Sequence, residues 1–248
     1  MKKIFFLAVI AFCFSQSAIS QRIFKTDVSQ LPDGMHELTV NGVKCKGAVS
    51  KGLQSGTWTS YFETGQVQVL QQYVDGNLDG FYLELEKNGF ISVQSFYANG
   101  ELNGRLLKFK TGGRTTLEEN YKAGKLHGVR KVYYEKGTLQ EESIYENGLK
   151  NGVTFWLDES ERRLATYHYK NGLFEGQQFT YYTSGGLKSE QNFTANKKEG
   201  KYIDYFENGN IRTEGEYKSD LKDGIWKEYD ETGKLLKEMK YKWGELIH

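Results

Sequence analysis

From residue 56 to the C-terminus, large apolar and polar residues alternate in short runs that glycine interrupts. The stretch "GIWKEYDETGKLLKEMKYKWG", residues 224 to 244, is representative. "GIWKEYD" reads as one strand, "ETGK" as a hairpin turn and "LLKEMKY" as a second strand. Alternation with a period of two marks strands with one buried face. Helices do not fit, because glycine comes too often for helices of ordinary length and Tyr and Thr favour strands.

The pattern returns every 24 residues without insertion. An anchor column of glycines stands at Gly56, Gly80, Gly104, Gly128, Gly152, Gly176, Gly200 and Gly224. Seventeen residues after each anchor comes a ring column: Tyr73, Tyr97, Tyr121, Tyr145, Tyr169, Phe193, Tyr217 and Tyr241. Five residues after it is a second large column: Tyr61, Leu85, Phe109, Tyr133, Leu157, Tyr181, Tyr205 and Tyr229. Two residues after it is a Trp column, which reads Trp58, Tyr82, Leu106, Arg130, Thr154, Gln178, Tyr202 and Trp226. Its aromatic character fades in the middle units, which predicts a difference there in partner contact or in packing.

Two further columns are turn positions. At nine residues past the anchor every unit has glycine except for Glu161, which predicts a locally different turn. At twenty residues past it glycine gives way only to Asn196 and Asp220. Asn and Asp are the non-glycine residues that best accept a left-handed backbone, so this column selects for positive φ.

If the hairpin preserves register, offsets 1, 3 and 5 share a face with offsets 11, 13, 15 and 17. Both large columns then lie on one face, and Glu118, Glu142, Glu190, Glu214 and Glu238 lie on the other. The expected fold is all-β: an elongated repeat array of about eight 24-residue β-hairpins forming a continuous twisted antiparallel meander. About sixteen strands at about 4.8 Å each would extend about 75 Å. One hairpin cannot bury its apolar face alone, so stability must come from neighbouring units.

The ends differ from the array. Residues 1–20, "MKKIFFLAVIAFCFSQSAIS", have a basic start, an apolar run from Ile4 to Phe14 and a small-x-small site at Ala18-Ile19-Ser20. This is the pattern of a signal peptide, and the run is shorter than the roughly 20 residues that span a bilayer. Export to the periplasm, cell surface or medium is expected, with no transmembrane segment after cleavage. Residues 21–51 read as a lead-in and capping hairpin, with "HELTVNGVKCKG" turning at Asn41-Gly42, out of register with the array. The array occupies 52–248, and His248 stands where a ninth anchor glycine would fall.

Loss of Lys2 and Lys3 with the signal leaves 31 basic against 32 acidic residues. Nucleic acid and anionic lipid therefore have no global electrostatic attraction to the chain. Cys13 leaves as well, so Cys45 has no intrachain partner and is expected to be buried.

Asp223 and Glu228, beside Trp226, have the look of an acid–base pair. Each is a variant within a repeated column, however, and a catalytic pair would belong to one unit alone. The four histidines form no metal-ligand spacing, and no phosphate loop is present. No catalytic, metal-binding or cofactor-binding residues are therefore assigned. The ring column is too uniform for a discriminating surface and reads as core. Partner-binding candidates come from variable positions: Trp58, Phe62, Tyr134, Trp156, Tyr182, Phe206 and Trp226. A single-layer sheet also leaves a broad face open for a protein.

The unit "NG-x-x-x-G-x-W-x-x-Y-x-x-x-G-x(7)-Y-x-x-G", seen most fully in "YKSDLKDGIWKEYDETGKLLKEMKYKWG", resembles the MORN repeat. It is most similar to the bacterial MORN-variant repeat of antitoxin-like and exported proteins, over residues 52 to 248. The resemblance implies a non-enzymatic interaction or scaffold module with a protein or envelope partner. It also implies, as another role, antitoxin-like neutralisation of a toxin. "VYYEKG" and "TYYTSG" are similar to the short aromatic cell-wall-binding repeats of Gram-positive surface proteins, which implies a glycan as an alternative ligand.

Overall fold

The computed structural model describes residues 25–247; residues 1–24, which include the expected signal peptide, and His248 lie outside them. Among the described residues there is no helix, and 22 strand segments form one antiparallel sheet. Strands consecutive in sequence are neighbours in the sheet, which is the expected meander of repeated hairpins. The segments outnumber the expected strands for two reasons. The capping hairpin and the last residues add β1 (Gly34–Val40), β2 (Val43–Ser50) and the segment Glu245–Ile247. Three other strands are split just before an anchor glycine, as in Glu101–Leu102 followed by Gly104–Lys110.

β3 (Leu53–Tyr61) and β4 (Val67–Val74) show how a unit is built. At their turn the Phe62 N–H donates to the Gln66 carbonyl and the Gly65 N–H to the Phe62 carbonyl, both at 2.8 Å. Pairing slips by one residue between Ser60 and Tyr61, and the same slip recurs at the hairpin turn of every unit. A glycine in the left-handed region closing a tight turn in this way is a bulge, which leaves one residue unpaired. A second bulge sits at the junction of units. Tyr73 pairs with Leu78 while Gln71 pairs with Tyr82, so Asp79, Gly80 and Phe81 bridge a gap that Gln72 alone spans on the other strand. Gly80 has φ +112°, and a Cβ there would lie 2.3 Å from the Gln72 side chain. The anchor column is thus held to glycine by backbone conformation and, in this unit, by close packing as well.

These bulges correct the expected parity. Gly56, Trp58 and Ser60 pair with Tyr73, Gln71 and Val69, so even offsets from the anchor share a face with the ring column. The Tyr column at offset 5 goes to the opposite face. There Tyr205 donates to Glu190 at 2.6 Å and Tyr229 to Glu214 at 2.7 Å. The two large columns that sequence alternation places together are therefore on different faces, because each unit carries residues outside the two-residue period. The glutamates do lie opposite the ring column. Bulges raise the local twist, and burial to 2 % or less on a one-layer sheet requires this face to wrap around its own side chains.

The turns between units have two successive left-handed residues, such as Ala195-Asn196 (φ 48°, 69°) and Ser219-Asp220 (φ 49°, 70°). This is the turn whose twist suits antiparallel strands, and it confirms the reading of Asn196 and Asp220. In most units the residue before the anchor tethers the next such turn. Asp79 accepts from the Asn99 N–H at 3.0 Å, Glu199 from Ser219 at 2.8 Å and Asp223 from Trp243 at 3.4 Å. Glu161 corrects another expectation: at φ +60° it makes the same turn as its glycine counterparts. Asp158 Oδ1, accepting from the Ser160 and Arg162 N–H groups at 2.8 and 2.9 Å, holds that turn closed.

The capping hairpin is also more regular than expected. Its turn, Asn41-Gly42, is shorter than the hairpin turns within the units, but β2 is in register with the array. Cys45, Gly47 and Val49 continue the columns of Val69, Gln71 and Tyr73, and Lys51-Gly52 forms the matching left-handed turn. Cys45 is buried as expected. Val28 and Leu31 from the lead-in pack onto this end of the core.

Candidate interaction faces

The sheet offers a packed face and an open face, and the packed face changes character along its length. At the N-terminal end Trp58 is 1 % exposed and its Nε1–H donates to the Ala48 carbonyl at 3.0 Å. A Cβ on Gly47 would sit 2.2 Å from the indole. The C-terminal end repeats the device: Trp226 is 1 % exposed, donates to the Glu216 carbonyl at 3.1 Å and lies over Gly215. Each Trp needs a glycine eleven residues earlier, on the paired strand, to make room for the ring. Gly47 and Gly215 stand off the anchor column, and sequence reading passed over them; the shared spacing to Trp was the available signal.

Trp58 and Trp226 are therefore core residues, which corrects their placement among partner-binding candidates. Tyr73, Tyr82 and Tyr97 join Trp58, and Tyr202, Tyr217 and Tyr241 surround Trp226 at ring separations of 5.0–6.4 Å. Burial pushes the Tyr97 and Tyr202 phenols up to about 12. Lys222 lies with its ammonium 4.0 Å from the Trp226 ring, and burial lowers its pKa.

In the middle the same face is ionic. Arg130 fills the Trp column, with Nε 2.9 Å from Glu119 and Nη1 3.2 Å from Glu141. Lys150 Nζ is 2.7 Å from the other Glu141 oxygen. Both carboxylates are less than a tenth exposed. Burial alone would pull the Arg130 pKa down, but the hydrogen bond it donates to Glu119 and the charges of Glu141 and Tyr145 outweigh it and raise it. The fading of the Trp column is thus a change of packing, from stacked rings to a charge network.

The other candidates are spread along the array. Trp156 lies half-buried on the packed face, 5.6 Å from the Lys150 ammonium. Phe62, Tyr134, Tyr182 and Phe206 open the hairpin turns and are half-buried along one edge of the sheet. Tyr134 donates to the Leu157 carbonyl at 2.8 Å and Tyr182 to the Tyr205 carbonyl at 2.5 Å, stapling each turn to the next unit. Phe62 and Phe206 lie under Lys87 and Arg212 at about 6 Å. The structure does not bring the seven candidates together at one site.

The open face carries exposed apolar pairs instead. Phe96 is 42 % exposed beside its cross-strand partner Phe81, and Val129 and Ile144 pair at 37 % and 41 %. Ile225 is exposed farther along. Between them acids are matched with bases, Glu118 with Arg105 at 2.9 Å and Glu142 with Lys131 at 3.4 Å. No group of His, Cys, Asp and Glu among the described residues could hold a metal ion, and no described helix is long and apolar enough to cross a membrane.

Comparison with known families gives a match to the MORN repeat variant at residues 54–75, 126–147, 174–195, 198–219 and 222–242. No curated protein matches the chain. Repeats of this family are non-catalytic modules that generally serve protein or membrane interaction. With five segments matched and the intervening units built on the same bulges, turns and register, the chain belongs to the MORN-repeat variant family.

Proposed function

We propose that this chain is an exported, non-enzymatic scaffold of the cell envelope that binds a protein through the open face of its sheet. The observation that carries this reading is exposed Phe96, beside half-buried Phe81, and the exposed pair Val129–Ile144, on the face that no second layer of the described residues covers. Exposed apolar surface on an otherwise polar sheet marks contact sites. The signal-like residues 1–20 support export, and balanced charge favours a protein over a polyanion.

The test is crosslinking and recovery of partners from native envelope, using the full chain and a Phe96→Glu, Ile144→Glu double variant. A discrete partner held by the wild type and lost by the variant, with circular dichroism unchanged, is expected. Equal recovery by both chains rules out the open face. A precursor that is neither shortened nor exported in cells rules out the envelope.

A further inference from the structure

On the packed face, Ser143 and Thr154 face each other across paired strands, between the ionic middle and the C-terminal rings. Both are 0 % exposed; the Thr154 hydroxyl has no hydrogen-bond partner, and that of Ser143 has only the phenol of Tyr145. Buried polar groups are almost always satisfied, so the free Thr154 hydroxyl needs an explanation. Equivalent rungs elsewhere are filled by large or matched side chains, such as Gly47 with Trp58, Gln71 with Tyr82 and Gly215 with Trp226.

Two neighbouring rungs flank this one: Tyr145 with Lys150 on one side, Glu141 with Trp156 on the other. The Lys150 arm starts on the first rung and ends 2.7 Å from Glu141 on the second, so it crosses above the Ser143–Thr154 rung. Its ammonium lies 5.2, 5.6 and 6.0 Å from the rings of Tyr169, Trp156 and Tyr145. Tyr167 pairs with Thr154 and closes the remaining side. Lys150 is the movable part of this arrangement, because a flexible stem and an ion pair to Glu141 hold it there and its side chain keeps 21 % exposure.

We propose that this rung is a carbohydrate subsite closed by Lys150. With the arm swung aside, Ser143, Thr154 and Glu141 present hydroxyl and carboxylate groups to the polar edge of a pyranose ring. Trp156 and the tyrosines offer aromatic faces to its C–H face. The charges already balance, two basic side chains (Arg130, Lys150) against two acidic ones (Glu119, Glu141), which suits a neutral sugar better than an ion. The surface is distinct from the open face, so the two proposals stand or fall separately.

The experiment is calorimetric titration of the full chain with three neutral trisaccharides: chitotriose, cellotriose and maltotriose. At least one is expected to bind, and Lys150→Met is expected to bind it about tenfold more tightly, since about 1.4 kcal/mol of competing ion pair is removed. Trp156→Ala and the near-isosteric Thr154→Val should each abolish binding, while Phe96→Glu, Ile144→Glu should leave it unchanged. Thr154→Val decides the question if Trp156→Ala fails to fold. Absence of binding by both the wild type and Lys150→Met would overturn the proposal and leave the hydroxyls to an ordered water. Binding that survives Thr154→Val overturns it equally, since the sugar then sits elsewhere.

Discussion

The two ends of the array and its middle solve one packing problem with different chemistry. At the ends the Trp column holds an indole seated on a glycine, with its N–H bonded to a backbone carbonyl and tyrosines around it. In the middle the same column holds Arg130 between two carboxylates. Rings at the ends remove a large apolar area from water, worth several kcal/mol for each Trp. An ion network gains little net stability, because desolvation consumes most of the Coulomb energy. The strand pairing is nonetheless the same in both regions, so backbone register is indifferent to what fills the wrapped face. In a repeat array, stability is a sum of unit and neighbour terms, and this array has two apolar blocks joined by a polar segment.

The largest expected effect comes from the ends. Trp226→Ala should destabilise the chain by about 3–5 kcal/mol, as for large buried aromatics elsewhere. Hydrogen exchange should show the loss concentrated around residues 200–245. Uniform loss of protection along all units would mean that the blocks do not behave separately.

The middle should respond differently to single and combined changes. Arg130→Ala leaves Glu119 with no basic partner and should cost about 3–5 kcal/mol in urea unfolding. Replacing Glu119, Arg130 and Glu141 together by Gln, Leu and Leu should cost far less, or even stabilise. Equal costs for the two variants would show that the network itself, rather than the orphaned charge, holds the middle together.

The smallest of these effects concerns the glycines under the indoles. Gly215→Ala places a methyl 2.3 Å from the Trp226 ring and should cost about 1–3 kcal/mol through displacement of the indole. Changed tryptophan fluorescence with the melting temperature lowered is the expected result. Gly186, whose Cβ would meet nothing nearer than 3.9 Å, serves as the control.

The units, their order and their turns were legible in the sequence because glycine columns mark left-handed backbone directly. Asn196 and Asp220 were read correctly for that reason. Face assignment failed because counting by twos assumes an unbroken period, and each unit contains two bulges. Trp58 and Trp226 looked like recognition residues because their column varied, but variation there records two ways of filling an interior. Gly47 and Gly215 were missed because their role is visible only once the indole is seen above them. The Ser143–Thr154 rung gave no sign, since serine and threonine in strands are ordinary until the burial of both and the missing partner of Thr154 are known.

The sequence by itself determined the repeat length, the meander, the left-handed turns and the family, because these depend on local backbone conformation and on periodicity. The tertiary structure decided which columns share a face, where the Trp rings go and that the Thr154 hydroxyl is left without a partner. These follow from bulges and from contacts between neighbouring strands: a one-residue slip inverts every side chain beyond it, and burial exists only once neighbouring units close over one another.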